Sequence, residues 1–108
     1  MAAVVWKAAL DQILQDTDKL VFVDFWAEWC GPCKMLGPVL EQLETKYPEK
    51  IQVAKINVDE DDNQELAIMY GVRSIPQVNI FKDGKEVDKF VWALPPEQIE
   101  EFITKHTS

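Results

Sequence analysis

The sequence is poor in cysteine and histidine, the residues from which most structural zinc sites are built. Its 108 residues include only two cysteines, Cys30 and Cys33, and one histidine, His106. Because a structural zinc ion generally takes four ligands, only a site shared between chains could complete the set. We therefore expect this chain to hold no metal.

Long apolar runs and an excess of basic side chains are also absent. No stretch approaches the ~18 apolar residues of a membrane-spanning helix, and residues 1–10 show no secretory signal. The 11 basic and 19 acidic side chains give a net charge of −8, so nucleic acid and anionic membranes would be repelled. Together with the small number of cysteines, these absences predict a protein of a reducing compartment, the cytoplasm.

Neither repeats nor a linker divide the chain, and its length fits one domain over residues 1–108. The dinucleotide motif G-x-G-x-x-G is missing, so we expect no bound nicotinamide or flavin cofactor.

What the sequence does contain is a regular succession of helix and strand patterns. The predicted helices cover residues 6–15 and 30–47, and two more begin at Asp62 and Pro95. The predicted strands cover residues 20–26, 51–58, 78–82 and 86–91, and a hairpin turn at Asp83-Gly84 joins the last two. Glu65 indicates a capping box for the third helix, and Gly71 suits its C-terminal cap. This order predicts an α/β fold, a central mixed β-sheet with helices on both faces.

The two cysteines follow the apolar strand 20–26 and stand where a helix begins. Unpaired N–H groups and the positive end of the helix dipole stabilise a thiolate there, so we expect the pKa of Cys30 to lie below the ordinary thiol value of ~8.5. Cys30 is the predicted nucleophile of disulfide exchange. Cys33, one turn deeper on the same helix face, is the predicted resolving thiol, less exposed and able to form a disulfide with Cys30. The alternative is a purely structural disulfide, whose short ring would constrain little of the unfolded chain.

Asp24 is the one carboxylate in the apolar strand 20–26. In a strand covered on both faces it would be buried, and desolvation would raise its pKa. A solvated position on an edge strand is the alternative. Lys55 lies in the next predicted strand, where the pattern alone favours a side chain that points to solvent.

The segment Trp29-Cys30-Gly31-Pro32-Cys33-Lys34 resembles the active-site motif of the thioredoxin family. Further similarities extend along nearly the whole chain, at Val23–Trp26, Gly37-Pro38, Lys55, Tyr70–Pro76 and Phe81–Gly84. The resemblance implies a thioredoxin-like fold and a monomeric thiol–disulfide oxidoreductase that reduces protein disulfides through a mixed-disulfide intermediate. Its implied partners are disulfide-containing client proteins and a thioredoxin reductase that supplies the electrons.

The resemblance also implies roles for the residues around the cysteines. Asp24 would exchange protons with Cys33, and Lys55 would modulate the electrostatics of that acid. Gly31 and Pro32, between the cysteines, are typical of the reducing members of the family.

A client-binding surface is implied beside the cysteines. Pro76 would follow a cis peptide bond, and the backbone of Ile75 would pair with an extended client segment. Trp29 and Pro32 would form an apolar rim. Trp92 stands where the family normally has a glycine that lines the groove, and its indole would crowd a client, form a new contact wall or turn inward against the last helix.

The sequence departs from the family pattern at two further positions. Gln77 stands where threonine is common, and Asn79 stands where an apolar residue is usual. Together with Trp92 they leave a binding module for one dedicated partner as an alternative function. A disulfide oxidase or isomerase is the second alternative, because the residues between the cysteines set the redox potential.

Overall fold

The structure, a computed structural model, describes residues 3–4 and 7–107. Its strands are β1 (Ala3–Val4), β2 (Leu20–Trp26), β3 (Ile51–Asn57), β4 (Gln77–Lys82) and β5 (Lys85–Val91). Its helices are α1 (Lys7–Asp16), α2 (Gly31–Lys46), α3 (Asp61–Met69) and α4 (Pro96–Thr107). Trp6, where the first helix was predicted to begin, lies outside the described residues. No helix in the described part of the chain is long and apolar enough to cross a membrane.

The described strands form one mixed sheet in the order β1-β3-β2-β4-β5. β1, β3 and β2 are parallel, whereas β4 runs antiparallel to β2 and β5 antiparallel to β4. Asp83 and Gly84 both have positive φ, 53° and 81°, as the tight turn of a two-residue hairpin requires. The predicted mixed sheet and hairpin are therefore confirmed. β1 was not predicted, because two residues are too few to show a periodic pattern.

Helices cover both faces of the sheet, as predicted. On one face, α2 and α4 pack over a core that includes Leu20, Phe22, Leu36, Leu40, Val78, Ile80, Ile99 and Ile103. On the other face, α1 and α3 pack over a core that includes Leu10, Val21, Val23, Phe25, Ala54, Ile56, Leu66 and Phe81. β2 supplies alternate side chains to both cores, so it is buried along its length. Each fully buried Leu, Ile or Phe contributes about 1.5–3 kcal/mol.

The start of α3 differs from the prediction. The helix begins at Asp61, and Glu60 at its N-cap makes no side-chain capping bond, so the capping box of Asp62 and Glu65 is wrong. Asn63 provides the anchor instead, because its buried Nδ2 donates to the carbonyl of Asn57 at 3.1 Å. Gly71, just beyond the helix, has φ of 68° and confirms the predicted C-terminal cap.

The two edges of the sheet differ in character. At one edge, the described residues of β1 pair with Ala54 and Lys55 of β3. β5 forms the other edge and carries the charged residues Lys85, Glu86, Asp88 and Lys89.

Candidate active site

The two cysteines lie where the loop after β2 enters α2. Cys30 is the N-cap residue, with extended φ and ψ of −94° and 105°, and Pro32 follows within the first turn, where its missing N–H has no partner to lose. Cys30 and Cys33 form a disulfide with a Cα–Cα distance of 5.2 Å. The Cys33 N–H donates to Cys30 Sγ at 3.2 Å. The helix therefore directs a backbone donor at this sulfur, an arrangement that favours the thiolate in the reduced protein.

The two cysteine side chains are almost equally exposed, 4% for Cys30 and 3% for Cys33. The expected lower exposure of Cys33 is thus not found in the disulfide form, because the short bridge holds both sulfurs in one cluster with Ala27. Trp26, Val58 and Ile75 pack against that cluster, so three separate segments enclose the disulfide.

Asp24 lies in the middle of β2, in register with Lys55 of β3 and Val78 of β4. Alternation along the strand turns its side chain to the face of Phe22, which α2 covers. The side chain is 1% exposed, and neither carboxylate oxygen has a hydrogen-bond partner among the described residues. Desolvation raises the pKa of Asp24 from 3.8 to about 7, although the charge of Lys55 opposes the rise. The predicted burial is confirmed, and the edge-strand alternative is wrong.

Lys55 turns toward α2 instead of pointing to solvent, which corrects the position that the strand pattern favoured. Its Nζ lies 4.5 Å from the centre of the Trp26 ring, within the range of a cation–π contact. The same atom lies 3.5 Å from where a Cβ at Gly37 would stand. Gly37 is one turn beyond Cys33, so it leaves room for the ammonium group beneath the helix that carries the cysteines.

Trp29 projects from the rim of the site, with 71% of its side chain exposed. Its Nε1–H donates to Asp59 Oδ2 at 2.8 Å, which fixes the indole. Asp59 was missed in the sequence. The signal that could have found it is topological: Trp29 follows β2 and Asp59 follows β3, and the carboxyl ends of neighbouring parallel strands meet at one edge of the sheet.

The loop of residues 70–76, between α3 and β4, brings Ile75 and Pro76 to the site. The Ile75–Pro76 peptide bond is cis, and Ile75 packs against the cysteine cluster. The backbone groups of residues 73–75 form no hydrogen bonds with other described residues. A surface depression of about 250 Å³ lies between this loop and Trp29, with Val58 and Val72 also in its wall.

Trp92 lies beside Pro76 and points outward. Its N–H donates to the Pro76 carbonyl at 3.0 Å, and 61% of its side chain is exposed. The inward position against the last helix is therefore wrong. Its φ of 82° falls in the left-handed region that favours glycine, so a bulky side chain occupies a glycine-like backbone position.

The other two departures from the family pattern are both buried. Gln77 is 5% exposed and Asn79 is fully buried, and Gln77 Nε2 donates to Asn79 Oδ1 at 2.8 Å. They lie on the face of the sheet that α1 and α3 cover, with Phe81 next in the alternation. This pair places a polar contact inside the core beside the Pro76 loop.

Within residues 3–4 and 7–107, no three His, Cys, Asp or Glu side chains converge as a metal site. Both cysteines form the disulfide. His106 Nε2 lies 3.0 Å from Asp88 Oδ2 on β5, in a contact that joins the end of α4 to the sheet.

Comparisons with known proteins agree with this geometry. The family described as Thioredoxin matches residues 1–105. A thioredoxin from Chlorobaculum thiosulfatiphilum is 56% identical over 91 residues, 84% of this chain and 82% of that protein. The protein named Thioredoxin 1 from a Nostoc species is 45% identical over 105 residues, 97% of this chain and 96% of its own.

Two solved structures show the same fold. The thioredoxin of Fasciola hepatica superposes with a TM-score of 0.86 at 38% identity and covers 99% of this chain and 100% of its own. A mutant thioredoxin from Halobacterium salinarum gives a TM-score of 0.85 at 39% identity, over 99% of this chain and 90% of its own.

The cysteine pair at the start of α2 and these relatives together identify a thiol–disulfide oxidoreductase. The predicted thioredoxin-like fold is confirmed by the solved structures. The chain belongs to the thioredoxin family.

Proposed function

We propose that this oxidoreductase reduces the disulfides of protein clients, with Cys30 as the nucleophile and Cys33 as the resolving thiol. The observation that carries the assignment is the Cys33 N–H directed at Cys30 Sγ. The Cys30 thiolate attacks one sulfur of the client, a mixed disulfide forms, and the first client thiolate leaves. Cys33 then attacks Cys30 Sγ, the mixed disulfide breaks, and the second client thiolate leaves. Two electrons pass to the client, and the protein ends with the Cys30–Cys33 disulfide.

Asp24 is the proposed proton acceptor for Cys33 in the second step. Cys33 must lose its proton before it can attack, and a carboxyl with a pKa of about 7 exchanges protons near neutral pH. Its position under α2, without hydrogen-bond partners, leaves both oxygens available for that proton. Lys55 modulates this acid, since its positive charge favours the carboxylate.

The client binds as an extended segment along residues 73–75. Free backbone N–H and C=O groups in this stretch can pair with a client strand, a mode that gives affinity without demanding a particular sequence. The exposed Trp29 and the half-buried Ile75 supply apolar contacts beside the cysteines, whereas the Pro76 side chain is buried. The Gly31-Pro32 pair lets the client approach the sulfurs closely.

The electrons come from a separate thioredoxin reductase, and the protein binds no cofactor of its own. The absence of a dinucleotide motif in the sequence supports this part of the proposal. We further propose a monomer that works in the cytoplasm, where the glutathione and thioredoxin pools keep thiols reduced.

Trp92 supports a second candidate, a binding module for one dedicated partner. An exposed indole held beside Pro76 by a backbone hydrogen bond is a ready contact for one particular apolar surface. In that case redox turnover with general clients would be slow. An oxidase or isomerase is less well supported, because Gly31-Pro32 resembles the pair found in reducing members of the family.

Trapping variants test the roles of the two cysteines. The pre-reduced Cys33→Ser protein, mixed with insulin, should accumulate a mixed disulfide through Cys30, because nothing can resolve it. Cys30→Ser should neither reduce insulin nor form that adduct. Mass spectrometry of the adducts and the rate of insulin reduction measure both effects. An adduct on Cys33 in an active Cys30→Ser protein would reverse the assignment.

A further inference from the structure

We propose that Glu86, an exposed residue on β5, is a positioning residue for the client-binding loop of residues 70–76. It acts through two buried amides, Asn79 and Gln77, and the proposal rests on the function proposed above for that loop. The hydrogen bonds of these three side chains run to one another and to the Tyr70 carbonyl, so we place their effect on the loop that flanks the disulfide and not on the sulfur chemistry.

The three side chains form a continuous hydrogen-bonded chain across β5 and β4. Asn79 Nδ2 donates to Glu86 Oε1 at 2.7 Å, and Gln77 Nε2 donates to Asn79 Oδ1 at 2.8 Å. Gln77 Nε2 also donates to the Tyr70 carbonyl at 3.5 Å. The chain therefore runs from the surface at Glu86 to the residue at which the loop begins.

The direction of every bond in this chain follows from the carboxylate. An ionised Glu86 can only accept hydrogen bonds, so Asn79 must turn its NH₂ group toward it. Asn79 Oδ1 then faces Gln77, so Gln77 must donate a hydrogen bond to it from its own NH₂ group. That orientation leaves the second N–H of Gln77 for the Tyr70 carbonyl.

The last contact links the two ends of the loop. Tyr70 follows α3 directly, and Gln77 is the first residue of β4, next after Pro76. The Tyr70 ring is held between Phe25 and Phe81, at centroid distances of 6.0 and 5.4 Å. The backbone of residues 73–75 forms no hydrogen bonds with other described residues. The conformation of this loop therefore depends on how its two ends are held. At 3.5 Å the bond is weak, so reversing the Gln77 amide would readily open it.

Replacing Glu86 by a pure donor should reverse the chain. In Glu86→Lys, an ammonium group would attract Asn79 Oδ1, Asn79 would turn its NH₂ group to Gln77, and Gln77 Oε1 would then face the Tyr70 carbonyl. Two acceptors would be opposed, and the ends of the loop would separate. Glu86→Gln keeps an acceptor and should behave as the wild type. Glu49→Lys is the control for the change of charge, because Glu49 is also exposed.

The experiment measures single-turnover reduction of insulin and of hydroxyethyl disulfide by each pre-reduced protein. For Glu86→Lys, we expect the half-saturating insulin concentration to rise about fivefold, because two opposed acceptors take the place of one weak hydrogen bond. The limiting rate with insulin and the rate with hydroxyethyl disulfide should not change. Faster amide hydrogen exchange at residues 71–75 should accompany the weaker binding. An equal effect in Glu49→Lys, or none in Glu86→Lys, would overturn the proposal.

A double-mutant cycle tests whether the effect passes through Gln77. Gln77→Met removes the donor, and in that background Glu86→Lys should cause no further loss of insulin binding. A full, additive loss would show that Glu86 acts directly and would defeat the proposal. Failure of the wild-type protein to reduce either disulfide would instead contradict the proposed function itself. Melting curves of all variants identify any loss of folding.

Discussion

At the scale of a single residue, Asp24 links the stability of the protein to pH. Burial raises the pKa of this carboxyl from 3.8 to about 7, so the folded protein holds the proton more tightly than the unfolded chain does. The resulting stabilisation is complete below pH 3.8 and is lost as the pH rises through about 7. Because a tenfold difference in proton affinity is worth about 1.4 kcal/mol, the ionised carboxylate costs roughly 4 kcal/mol of folding free energy.

We therefore expect Asp24→Asn to raise the free energy of unfolding by up to roughly 4 kcal/mol well above pH 7 and by little near pH 4. Urea unfolding of the oxidised protein at both pH values measures the difference. Asp18→Asn, at an exposed position, is the control. The Asp24 variant should also resolve mixed disulfides more slowly, since it lacks the proposed proton acceptor. A parallel pH dependence of stability in wild type and Asp24→Asn would contradict the buried, titrating acid.

Residue-level chemistry could be predicted wherever it depends on neighbours in the sequence. The cysteine pair at a helix start and the acid inside an apolar strand are of this kind. The contacts of Asp59 and Glu86 could not be predicted in this way, because their partners are distant in the sequence or in the strand pairing. Asp59 meets Trp29 only because β2 and β3 adjoin, and Glu86 meets Asn79 through a β4–β5 pairing that shifts register between Ile80 and Phe81. No local pattern indicates such a shift.

At the scale of an element, the turn after β5 combines an exposed indole with a backbone conformation suited to glycine. We expect Trp92→Gly to increase the rates of reduction of several protein disulfides, because it removes the exposed indole beside Pro76. Rates with hydroxyethyl disulfide should stay the same. The variant should also be more stable by about 1 kcal/mol. Glycine removes the backbone strain of a positive φ in the folded state, and its greater freedom in the unfolded chain offsets only part of that stabilisation.

Trp92→Ala separates the two effects. It removes the indole but keeps a side chain at φ of 82°, so it should widen the range of clients without the gain in stability. Rates on a panel of protein disulfides, together with thermal melting, provide the comparison. A large loss of stability with an unchanged range of clients would show that Trp92 serves packing and not specificity.

The predicted boundaries of elements were most accurate where apolar periodicity is strong and least accurate where capping decides them. The strand 20–26 is found with the predicted limits. The start of α3 is not, because a buried amide, Asn63, anchors the helix in place of a cap. Whether a side chain turns inward is settled by packing, and the sequence around Asn63 carries no sign of it.

At the scale of the whole molecule, the mixed sheet with helices on both faces could be predicted from the order of elements. The turn at Asp83-Gly84 and the two-sided burial of β2 also follow from composition and pattern. The short first strand could not be predicted, since its place in the sheet depends on pairing with β3 far along the chain. The positions of Lys55 and Trp92 likewise needed the packed structure, because each has two physically reasonable orientations.

The edges of this sheet have a consequence for behaviour in concentrated solution. An open strand edge is a template on which copies of a protein can polymerise. Here the β5 edge carries Lys85, Glu86, Asp88 and Lys89, so a second copy that added to β5 would have to desolvate charged side chains. The β5 edge thus resists the addition of another copy, although the stretch of residues 73–75 beside the cysteines keeps backbone groups without partners among the described residues.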